Sequence, residues 1–250
     1  TPRYLTAGFI LEEGLELEVL ERVVASMQAA AEEAGVEVVA GDTKVVQRGK
    51  ADGLYINTAG VGTQTPGMAI NGAQAQPGDA VILTGTIGDH GIAVLSARGE
   101  LGIQAQIESD VAPLNHMVAA MLEASEQIHV LRDPTRGGLA STLNEIAKQS
   151  QVGIVVQEDA IPVAAAVQSA CELLGFDPLY VANEGKMVVI VAPQDANKVL
   201  EALRADRYGE GAVLIGEVVE EPKGRVLMKT VIGSHRVLDV LSGELLPRIC

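Results

Sequence analysis

Apolar and polar positions along this chain follow two periods. From Leu15 to Ala34, the residues Leu17, Leu20, Val23, Val24, Met27, Ala30, Ala31 and Ala34 recur at three- and four-residue spacing. That is the pattern of an amphipathic helix, with Glu12 and Glu13 near its start and Gly35 as its stop. Short apolar runs predict strands over 4–11, 36–39, 54–61, 80–84, 128–131, 152–156, 187–191, 213–218 and 226–230. Further helices are predicted after Gly91, over 113–124, from the 133–138 cluster to about Gln149, over 164–174 and over 194–205. Helices alternate with strands without a strict βαβ order, which means α/β layers. No repeat of 20–50 residues is visible. Residues 63–79 are rich in Gly, Pro, Gln and Asn and mark a domain boundary. The expected division is a first domain over 1–66, a second over 67–243 and a tail over 244–250.

Composition narrows the class. With 250 residues, 48% of them hydrophobic, 27 glycines and no Trp, the chain can bury a sizeable α/β core. The net charge of -15 argues against a nucleic-acid surface, which needs clustered Lys and Arg. An acidic protein can still hold a nucleotide through Mg²⁺, backbone N–H groups and a few placed cations. The apolar runs are far too short for a membrane span and no signal peptide is visible, so a cytoplasmic protein is expected. Two cysteines, Cys171 and Cys250, make no disulfide framework. The start at Thr1, running straight into an apolar segment, reads as a fragment whose natural N-terminus lies upstream.

Four polar, Gly-flanked clusters border the predicted strands: Gly41-Asp42-Thr43-Lys44, Gly88-Asp89-His90-Gly91, Asp133-Pro134-Thr135-Arg136-Gly137-Gly138 and Asn183-Glu184-Gly185-Lys186. Glycine lets the backbone approach a ligand and bares its N–H donors. Carboxylates can hold Mg²⁺, and Lys44 and Arg136 could neutralise phosphate. Any one cluster also reads as an ordinary turn or helix start; the four together read as a nucleotide–metal site. Neither a P-loop nor a dinucleotide fingerprint is present. Of four histidines only His90 sits in such a cluster; His116 and His129 fall in helix and strand patterns, and His235 in a polar turn. Cys171 reads as a small buried residue, and Glu12-Glu13 and Glu220-Glu221 as solvated acids.

The chain ends Leu246-Pro247-Arg248-Ile249-Cys250. Pro247 stiffens the approach to the terminal thiol. Arg248 favours the thiolate, while the adjacent α-carboxylate disfavours it. A thiol at the tip of a movable arm suits a carrier of a covalently bound group; a frayed end that happens to finish in Cys is the other reading.

The succession VAGDTKVV (39–46), GTIGDHGIAVLSAR (85–98), LRDPTRGGLA (131–140), LYVANEGK (179–186) and LPRIC (246–250) resembles the HypE family of hydrogenase maturation factors. That family lies within the ATP-dependent superfamily of aminoimidazole ribonucleotide synthetase and selenophosphate synthetase. The likeness runs in order through essentially the whole chain. GDTK and the Gly-rich turns are shared across the superfamily, and the terminal PRIC carries the family.

The resemblance implies a two-domain aminoimidazole-ribonucleotide-synthetase-like α/β fold with an incomplete N-terminal domain and a flexible C-terminal tail. It implies carbamoylation of Cys250 by the carbamoyltransferase HypF, then ATP-dependent dehydration to a thiocyanate. The cyano group then passes to iron on a HypC–HypD complex, for nickel–iron hydrogenase. By the same resemblance Asp42 binds metal or nucleotide with Thr43 nearby. Lys44 stabilises the oxyanion or the transferred phosphoryl group. Glu184 is the base, held by Asn183. Asp133, Thr135 and Arg136 border the nucleotide or the tail, and His90 is a weaker candidate there. Relatives carry a further N-terminal segment, and paired first domains of two subunits form a barrel near ATP. A homodimer is therefore implied when the chain is full length, and an unpaired strand edge where the segment is missing. The rival readings are another ATP-dependent small-molecule phosphotransferase of the superfamily, indifferent to Cys250, and a non-catalytic hydrogenase assembly scaffold.

Overall fold

The computed structural model describes residues 1–64, 67–99 and 107–240. The chain divides into two units, Thr1–Met68 and Ala69–Cys250. The tail over 244–250, Cys250 included, lies outside the described residues.

In the first unit, β1 (Pro2–Glu12) lies between β2 (Glu37–Val46) and β3 (Leu54–Gly62). It pairs parallel with β2 and antiparallel with β3. Parallel neighbours need a crossover, and α1 (Leu17–Ala34) supplies it, ending at Gly35 as the periodicity predicts. Alternation along β1 turns Leu5, Ala7, Phe9 and Leu11 to the covered side, where Ala7 is 5% exposed. Tyr4, Thr6, Gly8 and Ile10 line the other side.

Two expectations change here. Gly41-Asp42-Thr43-Lys44 was expected after a short strand. It lies inside β2 instead, because the ladder to β1 continues from Gly41 opposite Ala7 to Lys44 opposite Ile10 and on to Val46. Glu12 is not merely solvated. Its carboxylate accepts the N–H of Gly49 and, at 3.1 Å, that of Gly53, clasping the β2–β3 connection. These two backbone hydrogen bonds hold its carboxyl below the ordinary carboxylate value.

The second unit is a seven-stranded sheet. Its strands are β4 (Ala80–Leu83), β5 (Ile128–Arg132), β6 (Gly153–Gln157), β7 (Val188–Val191), β8 (Val213–Val219), β9 (Arg225–Lys229) and β10 (His235–Leu238). Their order is β10-β9-β6-β8-β4-β7-β5, and every pair is antiparallel except β6 with β9. The helices are α2 (Asp89–Arg98), α3 (Asn115–Ala124), α4 (Gly138–Ser150), α5 (Ala165–Leu174) and α6 (Ala196–Arg204).

β4 and β7 read as continuous apolar runs because both faces of the sheet are covered there. Val81, Leu83, Val188 and Ile190 pack with Leu139, Leu143 and Ile146 of α4. Ala80, Ile82, Val189 and Val191 pack on the other side with Met117 and Met121 of α3 and Val199 and Leu203 of α6. A smaller cluster joins Ile92 and Leu95 of α2 to Val167 and Cys171 of α5. Each fully buried Leu, Ile or Val contributes about 1.5–3 kcal/mol.

Cys171 is buried, as expected, and burial, with Asp177 adding to it, pushes its thiol up to about 11. His235 is not in a turn: it opens β10, opposite Lys229. His129 is satisfied, its Nδ1 lying 2.7 Å from the carboxylate of the buried Asp79.

Candidate active site

Because β7 runs antiparallel to β4 and β5, the end of β4, the end of β5 and the start of β7 share one end of the sheet. The loops 84–88, 133–137 and 181–187 therefore converge, and Asn183 ties them together. It is fully buried. Its Oδ1 accepts the Gly88 N–H at 2.7 Å, and its Nδ2 donates to the carbonyls of Pro134 and Val181 at 2.9 and 3.1 Å. The side-chain amide is thus committed to the backbone of three loops. Gly138 opens α4 at φ 63°, and a Cβ there would stand 2.6 Å from the Leu179 carbonyl oxygen, so the 133–138 loop reaches its place only with glycine.

Around this junction stand most of the residues singled out from the sequence. Asp133 is exposed; its Oδ2 accepts the Thr135 hydroxyl at 3.2 Å and its Oδ1 lies 3.5 Å from Arg132. Arg136 is exposed at the mouth of α4. In the preceding Gly-rich loop, Thr86 donates its hydroxyl proton to Asp89 at 2.5 Å. His90, in the first turn of α2, lies with Nδ1 2.8 Å from the Ser109 hydroxyl. Glu184 is half-buried, and its backbone N–H donates to Asp110 Oδ1 at 3.1 Å.

Asp42, Thr43 and Lys44 belong to the first unit, all exposed on β2. Asp42 and Lys44 pair with Gly8 and Ile10, so both project from the face of the sheet that α1 leaves bare. Asp42 Oδ1 accepts the Thr43 N–H at 2.9 Å. An exposed carboxylate beside an ammonium fits Mg²⁺ with phosphate, since Mg²⁺ takes one or two protein carboxylates and fills its shell with phosphate oxygens and water. Among the described residues, no group of three or more His, Cys, Asp or Glu side chains converges as a closed metal cage.

Asp110, Ser109 and Lys186 were not assigned from the sequence. Lys186 stood inside the quoted Asn183–Lys186 cluster and was a visible signal. Asp110 lies in a stretch with no periodicity, and nothing local marks it.

The fold agrees with known proteins. Residues 1–64 match the AIR synthase related protein N-terminal domain family, and residues 76–229 the C-terminal domain family. The chain is 57% identical over 249 residues to the carbamoyl dehydratase HypE of Cupriavidus necator, an alignment covering 100% of this chain and 71% of that protein. The chain belongs to the HypE family of carbamoyl dehydratases. It is 56% identical to the HypE of Azotobacter vinelandii, covering 100% of this chain and 73% of the other. A crystal structure of the hydrogenase maturation protein HypE in complex with ATP superposes with a TM-score of 0.94 at 52% identity, covering 100% of this chain and 76% of that one. A HypE–HypF complex superposes with a TM-score of 0.92 at 49% identity, covering 96% and 78%. Among the described residues no helix is long and apolar enough to cross a membrane.

Proposed function

We propose that this chain dehydrates an S-carboxamide carried on its own Cys250 to a thiocyanate, at the expense of ATP, and so supplies cyanide ligands for nickel–iron hydrogenase. The observation that carries this reading is the 57% identity to a carbamoyl dehydratase HypE over the whole chain. Co-crystals of similar HypE proteins with ATP and with HypF support ATP as co-substrate and HypF as the carbamoyl donor. The acceptor is a HypC–HypD iron complex, and the setting is cytoplasmic. The working division is an ATP-binding and dimerisation domain over 1–66, an α/β domain over 67–243 and the reactive tail over 244–250.

The chemistry is a balanced two-step elimination. The amide oxygen of the S-carboxamide takes the γ-phosphoryl group of ATP, ADP leaves and the nitrogen loses one proton to water. The C–O bond then breaks, phosphate departs with the electron pair, and the remaining N–H proton passes to the Glu184 carboxylate as C≡N forms. Lys44 offsets charge developing on the oxygen or the transferred phosphoryl group. Asp42, with Thr43 beside it, would hold Mg²⁺, which when bound neutralises phosphate charge. Asn183 sets the loop that precedes Glu184. Asp133, Thr135, Arg136 and His90 border the nucleotide or the incoming tail.

The bare face of the first unit supports a homodimer. Tyr4, Ile10, Tyr55 and Val61 are 48, 44, 52 and 64% exposed, and the register sets Tyr4 opposite Val61 and Ile10 opposite Tyr55 on the Asp42 side. An apolar sheet face of this kind is the sort that a second copy covers.

Blocking Cys250 with a thiol reagent tests the reading, since buried Cys171 does not compete. ATP turnover coupled to carbamoyl phosphate and HypF should stop. Unchanged ATP turnover would favour the small-molecule phosphotransferase, and no ATP hydrolysis in any condition would favour the scaffold.

A further inference from the structure

Glu184 can act as a base only if its turn is held, and the structure shows what holds it. Asp110 has a side chain only 3% exposed. Its Oδ1 accepts the Glu184 N–H at 3.1 Å. Its Oδ2 is buried with no hydrogen-bond partner among the described residues, and lies 3.8 Å from Lys186 Nζ. One carboxylate therefore touches the turn at both ends, by a hydrogen bond at residue 184 and a partly buried ion pair at residue 186.

The backbone repeats the contact between them. A Cβ on Gly185 would stand 1.7 Å from the Asp110 carbonyl oxygen and 2.9 Å from the Ala112 nitrogen, so the turn rests directly on the 110–112 segment. That segment is anchored in turn from α2. The Ser109 hydroxyl lies 2.8 Å from His90 Nδ1 and accepts the Val111 N–H at 3.3 Å.

We propose that Asp110 is a positioning residue for Glu184, fixing the 184–186 turn through its hydrogen bond to the Glu184 N–H, with Lys186 as its counter-ion. The inference rests on the reading of Glu184 as the base. Burying a carboxylate is costly unless it is paired and hydrogen-bonded, and Asp110 is both through the turn it would position. Misplacing a reacting group by about 1 Å can cost about 10²-fold in rate, so the backbone under Glu184 bears on turnover as well as stability.

The test separates positioning from folding. Asp110→Ala alone leaves Lys186 half-buried and unpaired, so the informative variants are doubles. Asp110→Ala with Lys186→Met removes both the ion pair and the hydrogen bond. Asp110→Asn with Lys186→Met removes the ion pair but keeps an oxygen that accepts the Glu184 N–H. Carbamoylated full-length protein is assayed for ATP-dependent thiocyanate formation, with amide hydrogen exchange at Glu184 measured in parallel. We expect the Ala/Met variant to lose at least about ten-fold in kcat with KM for ATP within about two-fold, and its Glu184 amide to exchange faster. The Asn/Met variant should recover kcat to within about three-fold of the parent, as a merely structural role would not require. An Ala/Met variant with parental kcat, or with a Glu184 amide as protected as before, overturns the inference. Glu184→Gln is the control. If it keeps parental kcat the base reading itself falls; if it is inactive while Ala/Met is fully active, only the role of Asp110 falls.

Discussion

Asn183 is the residue whose loss should do the most damage for its size. Replacing it with Ala leaves the buried Gly88 N–H without its acceptor and removes one donor from each of the carbonyls of Pro134 and Val181. An unsatisfied buried N–H costs about 1–3 kcal/mol and each lost neutral hydrogen bond about 1 kcal/mol. The Pro134 carbonyl keeps a partner in the Asn183 backbone N–H at 3.3 Å, which tempers the loss. The expected destabilisation is about 4 kcal/mol, which for a unit of this size lowers Tm by about 8–16 °C.

Asn183→Asp sharpens the argument. It keeps the acceptor for Gly88 but turns an oxygen toward two carbonyl oxygens. Only the protonated carboxyl can donate there, so its folded pKa is raised above the unfolded value of about 3.9. The ionisation penalty is therefore absent below the unfolded value and grows as pH rises above it. Thermal and urea unfolding followed by far-ultraviolet circular dichroism, across pH 3 to 7, reads both effects. Asn183→Ala within about 1 kcal/mol of the parent, or a pH-independent Asn183→Asp, would refute the loop-bridging role.

Other outcomes follow from the structure and from the proposed function. Gly185→Ala should perturb the 184–186 turn, because its Cβ would meet backbone at 1.7 Å; kcat should fall and the Glu184 amide should exchange faster. Lys44→Met should lower kcat for dehydration by about 10²–10³-fold, the loss typical of removing one oxyanion-stabilising group, in single-turnover assays of the carbamoylated protein. Glu12 stabilises its clasp fully above the ordinary carboxylate value of 4.5, and this is lost as pH falls through its lowered folded value. Faster exchange of the Gly49 and Gly53 amides at low pH, absent from the pH response of Glu12→Gln, is the readout. Cys171, with its thiol pushed up to about 11, should resist thiol reagents in the folded protein and cost stability as pH rises above the ordinary 9.0, measured by reagent kinetics and by unfolding.

Local pattern made most of this fold legible. The three- and four-residue spacing from Leu17 to Ala34 is α1, and the doubly buried runs at 80–83 and 188–191 are adjacent interior strands of the larger sheet. Where pattern and structure part, long-range pairing is the reason. Gly41-Asp42-Thr43-Lys44 looks like a turn by composition, yet pairing with β1 draws it into a strand. His235 lies in a polar stretch and becomes β10 because β9 offers an open edge. The candidate site divides in the same way. His90, Asp133 and Glu184 belong to Gly-flanked clusters visible in the chain. Asp110 contacts Glu184 across 74 residues, and no local signal encodes that contact. Asn183 was legible as a site residue, but its use as a bridge between loops emerges only when three strand ends converge.

The central claim is that Cys250 carries the group that is dehydrated. It is tested most directly by mass spectrometry of the C-terminal peptide from full-length protein incubated with HypF, carbamoyl phosphate and ATP. The account predicts the gain of one carbamoyl group on Cys250, followed by the loss of one water only when the ATP is hydrolysable. Absence of any adduct on Cys250, or loss of water with a non-hydrolysable ATP analogue, would contradict it.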